Sequence, residues 1–199
     1  MSEVKTKTAY HHGDLRQQLV AATRKLVEEK GPDLFSVSEA CRAAGVSTAA
    51  PYRHFADRTE MLIAVAMEGF DEMAASFQAA VDGYKPGSNE AMKSLGIAYV
   101  DYASANPGLF KMMFAGDHQT DALEDAGHGC YGVVLGQVAA RLGRTDVDEA
   151  VFETAFPLWT FVHGLAFLWI DGKVEFSKAQ ADVDQLVGRA TAQLLPPEV

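Results

Sequence analysis

The chain has 199 residues, 48% of them hydrophobic, and a formal net charge of −10. That length suits one sizeable helical domain with a small appended module and excludes several large domains. Two cysteines, Cys41 and Cys130, lie far apart without CxxC or Cys/His spacing, which excludes a disulfide framework and a structural zinc site and fits a reducing cytoplasm.

The hydrophobic spacing predicts an all-α chain with almost no strand signal. Asp14 as N-cap, with Gln17 at N3, opens a first helix in which Leu15, Leu19, Ala22, Leu26 and Val27 recur until Gly31 and Pro32 end it. Ser36 and Glu39 make a capping box for a short second helix to about Ala43, broken by Gly45. Ser47 or Thr48 caps a third short helix to about Phe55; with Thr48 as the cap, Pro51 falls at N3, where its missing N–H has no intrahelical partner. Asp57 and Glu60 form a further capping box at the head of a long fourth helix carrying Leu62, Val65, Met73 and Phe77.

A short helix, a glycine turn and a second short helix is the helix-turn-helix plan, in which the second helix enters the DNA major groove by its first residues. Thr48, Ala49, Tyr52 and Arg53 are placed to lie toward DNA, while Val46, Ala50, His54 and Phe55 pack inward or flank the edge. The acidic total argues against a nucleic-acid partner, but it is unevenly spread. Met1 to Glu60 carries 9 basic and 8 acidic side chains, net +1; the remainder carries 8 and 19, net −11.

The stretch from Ala9 to Val65, with its "AAGVS" turn, "YRHF" and "DRTEML", resembles the DNA-binding region of the tetracycline-repressor (TetR) family of transcriptional regulators. The resemblance implies that Tyr52 and His54 contact or approach phosphates, that Thr48, Ala49 and Arg53 face bases or backbone, and that Arg58 meets phosphate from the head of the fourth helix. Ser36 and Ser47, at the starts of the two short helices, complete the candidate DNA-binding set. Each has a plainer alternative: Tyr52 as core filler, Arg53 as a solvated charge, His54 as a packed histidine. Residues 1–13 read as an N-terminal arm, in which Lys5 and Lys7 touch the DNA backbone or belong to a disordered tail. The adjacent His11 and His12 point in different directions with no third ligand near, so no metal is expected.

Further along, helices are expected over Asn89 to Ala105, Pro107 to Phe114, about Thr120 to Leu142, Asp146 to Asp171 and Lys178 to Leu195, with four glycines weakening the third of these. "ANPGLFKMMF" and "LWTFVHGLAFLWIDG" resemble the C-terminal domain of a TetR branch named for a Trp, His, Gly pattern, matched by Trp159, His163 and Gly164. Trp159 and His163 share a helical face with Phe152, Phe156, Ala166 and Ile170, which suits a largely apolar ligand oriented by one hydrogen bond, or else ordinary core. Tyr99, Tyr102, Phe110, Met113, Phe114, Tyr131 and Phe167 are further candidate lining residues, and Pro157 is expected to bend the helix and widen the cavity. Leu158, Phe161, Leu165 and Leu168 occupy another side of the same helix and need a partner. With the stripe Val183, Val187, Ala190 and Leu194 they are expected to close a four-helix dimer bundle, as the resemblance also implies.

The sequence therefore predicts an all-α regulator: a helix-turn-helix DNA-binding domain over 14–60, and a helical ligand-binding and dimerisation domain over 61–199 reached through the long fourth helix. It is expected to be a homodimeric repressor on a pseudopalindromic operator, released by a small apolar effector, with no cofactor and no metal. The apolar run Phe156–Ile170, interrupted by Pro157, Thr160 and His163, reads as too short for a bilayer, so a soluble protein is expected. A helical ligand- or protein-binding module without DNA binding is the alternative. An enzyme is disfavoured by the lack of a GxSxG elbow, HExxH, phosphate loop or dinucleotide fingerprint.

Overall fold

Eight α-helices and two 3-10 turns account for the regular structure among the residues that the computed structural model describes, 12–115, 120–174 and 182–198. In chain order they are α1 (His12–Lys30), α2 (Val37–Ala43), α3 (Arg58–Val81), α4 (Asn89–Ala105), α5 (Pro107–Met113), α6 (Asp121–Arg141), α7 (Glu149–Ile170) and α8 (Val183–Leu194). No strand occurs among the described residues. The chain divides into two compact units after Val65.

The first unit is punctuated by local signals. α1 begins at His12, two residues before the expected Asp14 cap, and stops where Gly31 takes a φ of 83° that other residues rarely adopt. Ser36 caps α2 in a complete capping box: its side chain accepts from the Glu39 N–H, and the Glu39 carboxylate accepts from the Ser36 N–H at 3.1 Å. Lys30, which donates to Glu39 at 2.6 Å, and Ser36 hold that carboxyl below its usual range and tie the end of α1 to α2. Leu19, Val27, Phe35, Cys41 and Phe55 are all buried in this unit. Lys5, Lys7, Tyr10 and His11 lie outside the described residues.

The third helix is corrected by the structure. Residues 48–50 form turns and Pro51–Arg53 a single 3-10 turn, bonded from the Arg53 N–H to Ala50 O and from the His54 N–H to Pro51 O at 2.8 Å. No side-chain cap bond serves this turn; Ala50 precedes it in helical conformation, so neither Ser47 nor Thr48 acts as its cap. The reason is local: Pro51 contributes no N–H, and too few residues remain before Asp57 starts the next helix for α-helical bonding to propagate. The expected fourth helix is thus α3. Its cap is as predicted at Asp57, which accepts from the Glu60 N–H at 2.9 Å, but Glu60 reaches back to the Ala56 N–H instead of closing the box on Asp57.

In the second unit α4 is the central helix, packed against α7 and α8, while α6 packs against α7. Ala91, Met92, Leu95, Gly96, Tyr99, Val100 and Ala103 recur at helical spacing and are all buried. Gly96 is required there: a Cβ at this position would sit 2.6 Å from Val187 Cγ1 on α8. α6 is one continuous helix despite its glycines, since Leu123, Val134, Leu135 and Val138 bury its other side. α7 runs unbroken through Pro157, which is exposed. At 22 residues α7 as a whole, of which the run Phe156–Ile170 is the second part, is long and apolar enough by length and composition to cross a membrane. Here it packs against α4, α6 and α8 within the helical unit. α8 starts at Val183 with Asp182 as its N-cap, and residues 178–181 of the expected helix lie outside the described residues.

The predicted dimer-forming stripe is divided by this packing. Leu165 and Val187 are buried with Val100 in one cluster, against which Phe161, Trp169 and Val183 pack, and Leu158 is buried too. Their partner is α4 of the same chain. Ala190 is half-buried, whereas Leu168 (52%) and Leu194 (39%) remain exposed.

Candidate functional site

Two sites can be built from these elements, one in each unit. In the first, the 3-10 turn presents Tyr52, 63% exposed, and Arg53 to solvent, with Ser47, Thr48 and Ala49 exposed just before them. Pro51 and Phe55 are buried and anchor the turn, and the Arg16 guanidinium lies 5.2 Å from the Phe55 ring centroid. Tyr52 is therefore not core filler. A left-handed Gly45, φ 69°, turns the chain between α2 and this segment.

Three other candidate residues are engaged internally. Ser36 is half-buried with its hydroxyl in the α2 cap, 3.1 Å from both Ser38 Oγ and Glu39 Oε2. His54 is packed, and its buried Nε2 has no hydrogen-bond partner, so that nitrogen is not offered to a phosphate. Arg58 donates through Nε to Phe35 O at 3.2 Å and through Nη2 to Pro32 O, with its guanidinium 4.8 Å from the Phe35 ring centroid. It clips the start of α3 to the turn before α2.

In the second unit an apolar cavity of about 560 Å³ opens between helices, within the range that holds drug-sized molecules. α3 supplies Phe70, Met73 and Phe77; α4 supplies Tyr99; the end of α5 supplies Met113 and Phe114. Leu123, Glu124, Gly127, His128, Cys130, Tyr131 and Val134 form the α6 wall, and Phe152, Phe156 and Trp159 the α7 wall. Phe156 is 59% exposed and Phe152 49%, so the α7 wall borders the opening.

Of the residues predicted to line a pocket, Tyr99, Met113, Phe114, Tyr131, Phe156 and Trp159 do so. Tyr102, Phe110, His163 and Phe167 do not. Tyr102 is buried and donates to Gly69 O at 2.8 Å, which ties α4 to α3. Phe110 is fully buried, packed on Tyr99, Phe114, His163 and Phe167. His163 stands behind the wall: its Nδ1 is 2.7 Å from the Tyr99 hydroxyl, and five aromatic rings surround it. Burial lowers its pKa, which favours a neutral imidazole that holds the Tyr99 hydroxyl in place. Gly164, third member of the Trp, His, Gly pattern, is exposed with open space around it.

Burial raises the pKa of Tyr99, against the neighbouring Trp159 which lowers it, and also that of Tyr131. The Cys130 thiol is pushed up to about 12 by burial and is a protonated, unreactive wall residue. No group of three or more histidine, cysteine or acidic side chains capable of holding a metal occurs among the described residues. Of the α6 wall the sequence alone singles out only Tyr131, because the glycines make the apolar face of that helix discontinuous.

An exposed turn after a capped helix, joined in one chain to a helical unit with an apolar cavity, is the arrangement expected of a DNA-binding regulator with a ligand-binding domain. Residues 19–65 match the family model described as bacterial regulatory proteins, tetR family, and residues 92–194 match the one described as tetracyclin repressor-like, C-terminal domain. The chain belongs to the TetR family of transcriptional regulators and is not an enzyme. It is similar to a protein with unknown function from Rhodococcus sp. RHA1, at 30% identity over 95% of this chain and 97% of that one, TM-score 0.79. A tetR-family transcriptional regulator from Streptomyces coelicolor shares the fold at 17% identity, covering 93% and 80% of the two chains, TM-score 0.73. So does the transcriptional regulator FadR from Bacillus subtilis in complex with stearoyl-CoA, at 13% identity over 90% and 97%, TM-score 0.68. No curated protein matches the chain in sequence.

Proposed function

We propose that the protein is a cytoplasmic homodimeric repressor that binds a pseudopalindromic operator and is released by a small, largely apolar effector held in the α3–α4–α6–α7 cavity. The observation that carries this reading is the continuity of α3. One helix, Arg58–Val81, begins in the DNA-binding unit and supplies Phe70, Met73 and Phe77 to the cavity. An effector that prefers one disposition of α3 over another therefore biases the recognition turn, and it releases DNA to the extent that it prefers the unbound state.

Dimerisation is supported by an exposed stripe on α7, Phe156, Thr160, Gly164 and Leu168 at successive helical turns, accompanied by exposed Leu194 on α8. A two-fold pair would set two recognition turns on successive major grooves, about 34 to 36 Å apart. Tyr52 and Arg53, with Ser47, Thr48 and Ala49, are the residues proposed to meet DNA. Arg58 and His54 support the turn from behind.

The test is a gel-shift titration of the full-length protein on the DNA upstream of its own gene, with footprinting of the bound site. A symmetric footprint covering two half-sites is expected. No retarded band at low salt, on upstream DNA or on any other duplex, would leave a helical ligand-binding module in place of a regulator.

A further inference from the structure

We infer that the cavity selects a lipophilic cation, an amine- or onium-bearing molecule of drug-like size, over an anion such as a fatty acyl thioester of coenzyme A. This rests on the reading of the cavity as the effector site and adds the charge of what it holds.

Eight of the sixteen lining residues are aromatic, and none is lysine or arginine. Aromatic faces carry the negative side of the ring quadrupole, so a cation lodged among Phe70, Phe77, Tyr131 and Trp159 recovers part of its lost hydration, whereas an anion at the same faces is repelled. The lining holds a single carboxylate, Glu124 at the α6 wall, which is exposed and lies 3.9 Å from His128 Nε2. An ammonium or onium head entering the cavity can pair with that carboxylate beside the imidazole. Both phenols in the wall are pushed toward their neutral form by burial and offer ring faces and acceptor oxygens.

A thioester of coenzyme A brings several phosphate charges that need basic partners. Lys111 and Lys93, on the helices that flank this unit's core, pair at the surface with Asp171 at 2.6 Å and Asp184 at 2.7 Å and do not line the cavity. The sequence from Met61 onward carries 8 basic and 19 acidic side chains, net −11, which reinforces the preference at longer range.

Tetraphenylphosphonium and tetraphenylborate have the same four phenyl rings and opposite charges, and triphenylmethane supplies a neutral counterpart. Their binding to the full-length protein is read by quenching of tryptophan fluorescence, with Trp159→Phe locating the signal at the cavity. The cation is expected to bind about tenfold tighter than the borate, or more. Glu124→Gln is expected to narrow that gap several-fold with an unchanged far-UV circular dichroism spectrum. Equal or tighter binding of the borate overturns the inference, as does binding of triphenylmethane alone, and either leaves the cavity standing as an effector site. Failure of all three probes to bind removes the effector-site reading and the charge assignment with it.

Discussion

The DNA-facing turn and the cavity are built by opposite means. At the turn the proposed function rests on side chains left in solvent: Tyr52 and Arg53 are presented by one 3-10 turn, with buried Pro51 and Phe55 as anchors. In the cavity the proposed function rests on what the core leaves unfilled, between five helices that bring distant parts of the chain together. A mutation at the turn should therefore change binding without changing stability. A mutation behind the cavity wall should change both.

The largest effect is expected where the second unit packs on itself. Leu165→Glu buries a charge among Val100, Val187 and Phe161 and should cost about 3 to 5 kcal/mol, enough to unfold the unit in a thermal melt. Leu168→Glu, one helical turn on and 52% exposed, should leave the melt of the folded subunit nearly unchanged and dissociate the dimer in sedimentation. If both variants behave alike, the division of α7 into a core side and a partner side is wrong.

Within the first unit the same contrast separates two arginines. Arg58→Ala removes bonds to Phe35 O and Pro32 O and the stack on the Phe35 ring, and should lower stability by about 1 to 3 kcal/mol in denaturant titration. Arg53→Ala should leave stability alone and weaken operator binding by about 1 to 3 kcal/mol if the side chain reads a base. A destabilised Arg53→Ala protein would erase the distinction.

The smallest effect is a pH dependence. Burial lowers the His163 pKa in the folded state below its unfolded value. The imidazole therefore favours folding above the ordinary histidine pKa. Stability should fall as the pH drops through that value and level off below the depressed one. His163→Gln should flatten this part of the stability–pH curve, measured by denaturant midpoints across the acidic range. Persistence of the full dependence would assign it to other groups.

The two regions also differed in how far the sequence disclosed them. Caps at Ser36 and Asp57 and the stop at Gly31 are contained in a few neighbouring residues, so most boundaries of the first unit could be read directly. The third element was misread because a proline compatible with a helix start is equally compatible with a turn too short to become a helix. The cavity was legible only in part. Helical spacing shows that Tyr99, Phe110, Trp159 and His163 share apolar faces, but only the packing decides that Tyr99 and Trp159 border the space while Phe110 and His163 stand behind it. For the same reason Leu165 and Leu168 looked equivalent, until the position of α4 buried the first.

The central claim is that the cavity and the DNA-binding turn are coupled, and coupling must be reciprocal. Its direct measurement is the affinity of a cavity ligand, read through Trp159 fluorescence, in the absence of DNA and again with saturating operator. The operator is expected to weaken ligand binding by the same factor by which the ligand weakens operator binding. Ligand affinity unchanged by saturating operator, with both molecules bound at once, would contradict the account.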